Sequence, residues 1–133
     1  MSQMKTVRTA ELIGEVLDLM VAVAIGGERK PYRFASNEDA PMNMAWVFPD
    51  GYAATSWRPS TEWSQAGRLI KKFKITVGSD WDGESLVSVW AYCGPAFEGW
   101  PVVTAQEYLV AVCRAIVAAN LGDEVQIPAE LLP

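Results

Sequence analysis

The chain contains no histidine. That absence removes Ser–His and Cys–His nucleophile pairs, imidazole metal ligands and an imidazole pH switch. Cysteine is scarce, with only Cys93 and Cys113. Two thiols without histidine cannot complete a structural zinc site. One disulfide between them is conceivable. Cys113 lies in an apolar helical run, which favours a buried free thiol, so the expected setting is reducing and cytosolic. Long apolar runs are missing too, and none approaches the ~18 residues of a membrane span. Lys5 and Arg8 before the run from Leu12 to Ile25 imitate a signal peptide, but Glu11, Glu15 and Asp18 interrupt it, and a signal core avoids acids.

Basic charge is missing from the second half. Residues 75–133 carry one basic and eight acidic side chains, net −7, within a chain of net charge −5. Residues 31–74 are the basic part, at +2. Nucleic-acid binding needs a clustered positive surface, so nucleic acid is not the expected partner. Glycine-rich phosphate loops are absent, and Ser60, Ser64 and Ser85 lack the G-x-S-x-G context of a nucleophile elbow. Asp80, Asp82 and Glu84 alternate in a turn, but Ser85 stands where a calcium loop needs glycine. No metal or cofactor is expected, and nothing marks an enzyme.

What is present is a folded domain. Hydrophobic residues make up 50% of 133, enough for one domain with its own core. A first helix is expected from Ala10 to Ile25, capped by Thr9. Glu11, Glu15, Asp18 and Ala22 would form its narrow polar stripe, and Gly26-Gly27 would end it. The region from Glu28 to Asn43 reads as irregular, with a short strand near Tyr32–Ala35. Met44–Phe48 and Tyr52–Trp57 flank Pro49-Asp50-Gly51, a hairpin signature. Ser60 or Thr61 would cap a short helix running to Lys72. Phe73–Val77 and Leu86–Tyr92 read as strands around a turn at 78–84, and Cys93–Pro101 as a loop. Thr104-Ala105-Gln106-Glu107 has the form of a capping box before a helix ending at Gly122. Residues 1–8 and 129–133 read as flexible ends. The order of elements implies an α+β single domain. Its expected form is one antiparallel sheet, the N- and C-terminal helices packed on one face and a short helix between strands.

The last helix is too apolar for one buried face. Val110, Val117 and Leu121 fall in the same arc as Gln106, Glu107 and Arg114. A sheet can cover one side; the first helix, a loop or a second subunit must cover another. Val110, Arg114 and Val117 are therefore a candidate contact stripe for a partner protein or a second copy.

The segment from Arg58 to Ile70 concentrates polar and aromatic groups. Pro59 stops a strand, and Trp63, Leu69 and Ile70 read as core. Thr61, Trp63, Gln65, Gly67 and Arg68 are the candidate ligand-binding set, with Gly67 allowing close approach. Trp57 and Trp63 interleave with Arg58, Arg68, Lys71, Lys72 and Lys74, a pattern that a single-stranded nucleic-acid platform also uses.

Three blocks resemble a known family. Pro59–Ile70 is similar to the central motif of the NinX-like phage proteins. Leu12, Gly14, Leu17, Asp18, Val21, Ala22, Ala24 and Gly26 are similar to their first helix. Ala111–Ala118 and Leu121–Pro128 are similar to their ending. Ala66-Gly67-Arg68 departs from the family's usual Gly-Gly-Pro, and residues 28–57 match little. The resemblance implies an accessory protein of temperate phages or prophages, located in the host cytoplasm, and carries no biochemical activity. Together with the missing catalytic set, it favours a non-enzymatic module that binds a protein or itself. A ligand pocket around Thr61, Trp63, Gln65 and Arg68 is the alternative, and single-stranded nucleic-acid binding the second.

Overall fold

The computed structural model describes residues 3–35, 38–93 and 102–131. Of the expected loop Cys93–Pro101, Cys93 ends a strand, and residues 94–101, with the breakers Gly94, Pro95 and Gly99, lie outside the described residues. The chain runs β1 (Met4–Arg8), α1 (Gly14–Ala24), β2 (Glu28–Tyr32), β3 (Asn43–Val47), β4 (Ala53–Ala54) and α2 (Trp63–Phe73). It continues through β5 (Ile75–Asp82), β6 (Ser85–Cys93), β7 (Val103–Ala105), α3 (Tyr108–Leu121) and β8 (Glu124–Pro128). The architecture is α+β. The strands form three small antiparallel sheets, β1–β8, β2–β3–β4 and β5–β6–β7, where one sheet was expected.

α3 is the hub of the molecule. It lies on the β5–β6–β7 sheet, and α1 packs chiefly against α3 on another side, with α2 also in contact. The expected placement of both long helices on one sheet face does not emerge: α3 occupies the sheet and α1 is stacked on it. This explains the wide apolar surface of α3. Eight of its fourteen residues are buried, so cover on several sides comes from within the chain. Val117 is fully buried and Arg114 half-buried. Of the expected contact stripe, Val117 has no exposed surface, while Val110 and Arg114 are partly exposed.

The expected hairpin at Pro49-Asp50-Gly51 is present but short. Trp46 pairs with Ala54 and Val47 with Ala53, and Gly51 takes a left-handed φ of 91° in the turn. α2 forms because Ala66, Leu69, Ile70 and Phe73 recur at helical spacing while Lys71 and Lys72 face water; Ala66 and Leu69 are buried. β5 runs on to Asp82 through a bulge at Asp80/Trp81, so the turn is shorter than expected and centres on Gly83.

Several local expectations lose to tertiary partners. Thr9 does not cap a helix. It is buried, its N–H donates to Asp123 O at 2.7 Å, and its hydroxyl donates to Gly122 O at 2.6 Å. The link ties the start of the chain to the end of α3, beside the β1–β8 pair, which runs from Met4 opposite Pro128 to Arg8 opposite Glu124. The stretch read as a loose N-terminal end thus contains β1, and 129–131 form a short 3-10 turn. Thr104 is not a cap either: it belongs to β7, paired with Trp90 of β6, and the residue before α3 is Glu107. Cys93 and Cys113 are both buried free thiols. Burial pushes the Cys93 thiol up to about 11, and Cys113 is raised as well, by burial and by the nearby Asp18 carboxylate.

Candidate functional site

The start of α1 and the segment leading into α2 fold against each other. Trp57 is buried and its indole N–H donates to the Asp18 carbonyl at 3.0 Å. Three residues on, the Ser60 N–H donates to Asp18 Oδ1 at 2.8 Å. Asp18 is therefore not part of a wet stripe; it is only 6% exposed. Burial raises its pKa, opposed by the Ser60 N–H bond, with the Glu15 charge adding to the rise. The Ser60 hydroxyl is itself buried, and among the described residues it is the one buried side-chain polar atom without a hydrogen-bond partner. It lies near enough to help hold the Asp18 charge without forming a bond of good geometry.

The candidate ligand residues separate into two groups. Gln65 is buried, accepts from the Arg58 N–H at 2.7 Å and donates to Ser56 O at 2.7 Å. Both its polar ends are spent bracing the turn, so it is a structural residue. Arg68 stacks over the Tyr52 ring at 3.7 Å and pairs with Asp50 at 2.7 Å. Gly67 is exposed with open space around its Cα, so nothing approaches it closely. Thr61 is exposed and donates from its hydroxyl to Arg58 O at 3.4 Å. Trp63, read as core from the sequence, is 59% exposed.

Lys72 joins Arg68 on Asp50, at 3.0 Å. The Asp50 carboxyl is held down at about 2, from an ordinary 3.8, first by the Tyr52 N–H and then by Lys72 and Arg68. Because the folded value lies below the unfolded one, this stabilisation is present above the ordinary value and is lost as pH falls from ~4 towards ~2. The group is largely exposed, so solvent screening limits it to about 1 kcal/mol or less. Asp50→Asn should lower stability by that amount at neutral pH and remove its share of the acid limb. Urea denaturation at neutral pH and near pH 2 checks this; equal losses at both would contradict it.

Thr61 and Trp63 line a groove that sequence reasoning did not foresee. One hollow, about 500 Å³, is lined by Gly14, Ser60, Thr61, Trp63, Glu107 and Val110 among others. It shares Gly14, Ser60 and Thr61 with a larger hollow of about 680 Å³ containing Asp18, Arg29, Trp46 and Arg58. It shares Glu107 and Val110 with a third of about 380 Å³ that reaches Ile13 and Arg114. Arg114 is anchored there by bonds to Leu12 O at 2.9 Å and Thr104 O at 2.8 Å. The one local clue was Gly14, which takes a left-handed φ of 60° at the first position of α1.

The chain matches the family described as Bacteriophage P22, NinX over residues 8–120. It belongs to that family. No individual curated protein matches it. The NinX match spans the start of α1, the turn into α2 and the start of α3, so every wall of the central hollow lies within the shared part of the chain. Among the described residues, no helix is long and apolar enough to cross a membrane.

Proposed function

We propose that this NinX-family chain is a non-enzymatic accessory protein that acts in the host cytoplasm by binding another protein, and that the linked groove is its binding surface. The observation that carries the reading is the exposure of large apolar side chains on the groove's lips. Trp63 is 59% exposed and Ile13 64% exposed. Exposed aromatic anchors beside a cleft are the usual energetic centres of protein interfaces. The contact surface thus moves from the buried Val117 side of α3 to its N-terminal end, where Val110 stays half-exposed.

A small-ligand pocket is the second reading. It is favoured by the 680 Å³ hollow, where Trp46 and the buried Asp18 face one space; ligand pockets commonly have a volume of about 300–1,000 Å³. It keeps Thr61 and Trp63 and gives up Gln65 and Arg68. Nucleic-acid binding has less behind it, because Arg68 and Lys72 are both engaged by Asp50.

Trp63→Ala is the decisive variant. Its side chain is mostly solvated, so the melting temperature should change by no more than ~2 °C. Capture of the tagged protein from lysogenic cells should lose its specific partner, since truncating an anchor removes about 2 kcal/mol or more of binding. Undiminished capture with Trp63→Ala would rule out this groove as the binding surface. A metabolite hit in a thermal-shift screen, abolished by Asp18→Asn but kept in Trp63→Ala, would favour the pocket.

A further inference from the structure

Two largely solvated tryptophans, distant in sequence, belong to one surface. Trp63 is 59% exposed and Trp81 58% exposed. Tyr108 and Ser79 link them. Tyr108 opens α3 and lines the central hollow together with Trp63. Its hydroxyl donates to Ser79 Oγ at 2.9 Å, and the Trp81 indole N–H donates to the same oxygen at 2.9 Å. The aromatic surface therefore runs from Trp63 through half-buried Tyr108 to Trp81. Trp81 is held by its N–H while most of its side chain stays in water. A side chain already held in place loses less freedom when a partner covers it.

The charge beside these rings has one sign. Glu62 precedes Trp63, Asp80 and Asp82 flank Trp81, and Glu107 precedes Tyr108. Asp80, Asp82 and Glu107 are exposed and form no ion pair among the described residues. Glu62 has only the Arg58 guanidinium, at 3.8 Å. From residue 75 onward the single cation is Arg114, and it is spent on Leu12 O and Thr104 O. No lysine or arginine lines the central hollow.

This combination selects the sign of the partner. The face of an indole attracts a guanidinium or ammonium placed over it. Carboxylates without a counter-ion add to that attraction and repel acidic groups. A basic side chain meets both demands at once. A second copy of this chain does so poorly, because each copy carries a net charge of −5.

Resting on the protein-binding reading, we infer that the partner docks through a basic, partly apolar segment. Its arginine or lysine side chains lie over Trp63 and Trp81 and pair with Asp80, Asp82 and Glu107. Its apolar side chains enter the hollow beside half-buried Val110.

The test is calorimetric titration of the full chain with a blocked peptide of Leu-Arg-Ala repeats. The controls are the same peptide with glutamine or with glutamate in place of arginine. The basic peptide should bind saturably near physiological salt, and both controls at least about tenfold more weakly. Trp63→Ala and Trp81→Ala should each weaken the basic peptide at least about fivefold. Both side chains are mostly solvated, so each variant should keep its melting temperature within ~2 °C. Glu107→Gln should weaken binding about two- to fourfold. Glu124→Gln, an exposed acid in β8 beyond the far end of α3, should leave it unchanged. That contrast separates a docking face from general attraction to an acidic chain. Equal binding of the arginine and glutamine peptides, absence of binding by both, indifference to Trp81→Ala, or equal effects of Glu107→Gln and Glu124→Gln would overturn the inference. So would dimerisation in sedimentation that Trp81→Ala abolishes, since the face would then belong to a second copy. Trp63-dependent capture of a partner that the basic peptide does not displace would sink this inference alone; capture that ignores Trp63 would sink the groove reading beneath it.

Discussion

Trp57→Ala is expected to lower stability by about 3–5 kcal/mol, as loss of a buried aromatic side chain does. For a chain of this length that lowers the melting temperature by roughly 10–20 °C. The indole is 9% exposed. Its ring centroid lies 4.5 Å from that of Phe48 and 6.2 Å from that of Tyr52. Its N–H donates to the Asp18 carbonyl in α1, so it joins the hairpin, α1 and the turn into α2. Trp57→Phe keeps much of the apolar contact and drops the hydrogen bond, and should cost less than half as much. Calorimetry of both variants measures this. A loss below ~1 kcal/mol for the alanine variant would mean that the three elements do not depend on the indole.

Gln65→Ala is expected to cost roughly 2–4 kcal/mol, an unusually large effect for a polar residue in a helix. The substitution leaves two groups without partners, the Arg58 N–H and the Ser56 carbonyl. Each orphaned group costs about 1–3 kcal/mol when water cannot reach it freely. Gln65→Glu retains an acceptor for Arg58 but, ionised, loses the donor for Ser56, and should be no better than alanine. Arg68→Ala, by contrast, removes an exposed pair and a ring contact and should cost about 1 kcal/mol. Chemical denaturation of the three variants separates them. If Arg68→Ala destabilised more than Gln65→Ala, the roles drawn from the structure would be reversed.

These two residues show what could be read locally and what could not. The helix at Trp63–Phe73 was legible because its apolar residues recur every three or four positions. The assignment of Trp63 to the core was wrong for the same reason: periodicity shows that a face is apolar, but not where that face ends. Trp63 opens the helix, beyond the reach of the partners that bury Ala66 and Leu69. Asp18 and Glu15 look alike in sequence, yet Asp18 lies under the Ser60 turn while Glu15 stays exposed. The hydrogen bond that decides this spans forty-two residues, and no local pattern carries it. The Thr104 capping signal failed through the same competition, since pairing with Trp90 drew that residue into a strand.

By itself the sequence determined the family, the α+β class and the exclusion of histidine chemistry. It also required that the last helix be covered on several sides, because an apolar helix surface cannot be left in water. Only the tertiary structure decided what provides that cover: the sheet, α1 and α2 of the same chain. It also decided that Gln65 faces inward and Trp63 outward, and that three helices begin at one hollow. The physical reason is separation along the chain. Local composition sets which elements form, while the groove is made by residues near 14, 60 and 107, which only packing against the α3 hub brings together.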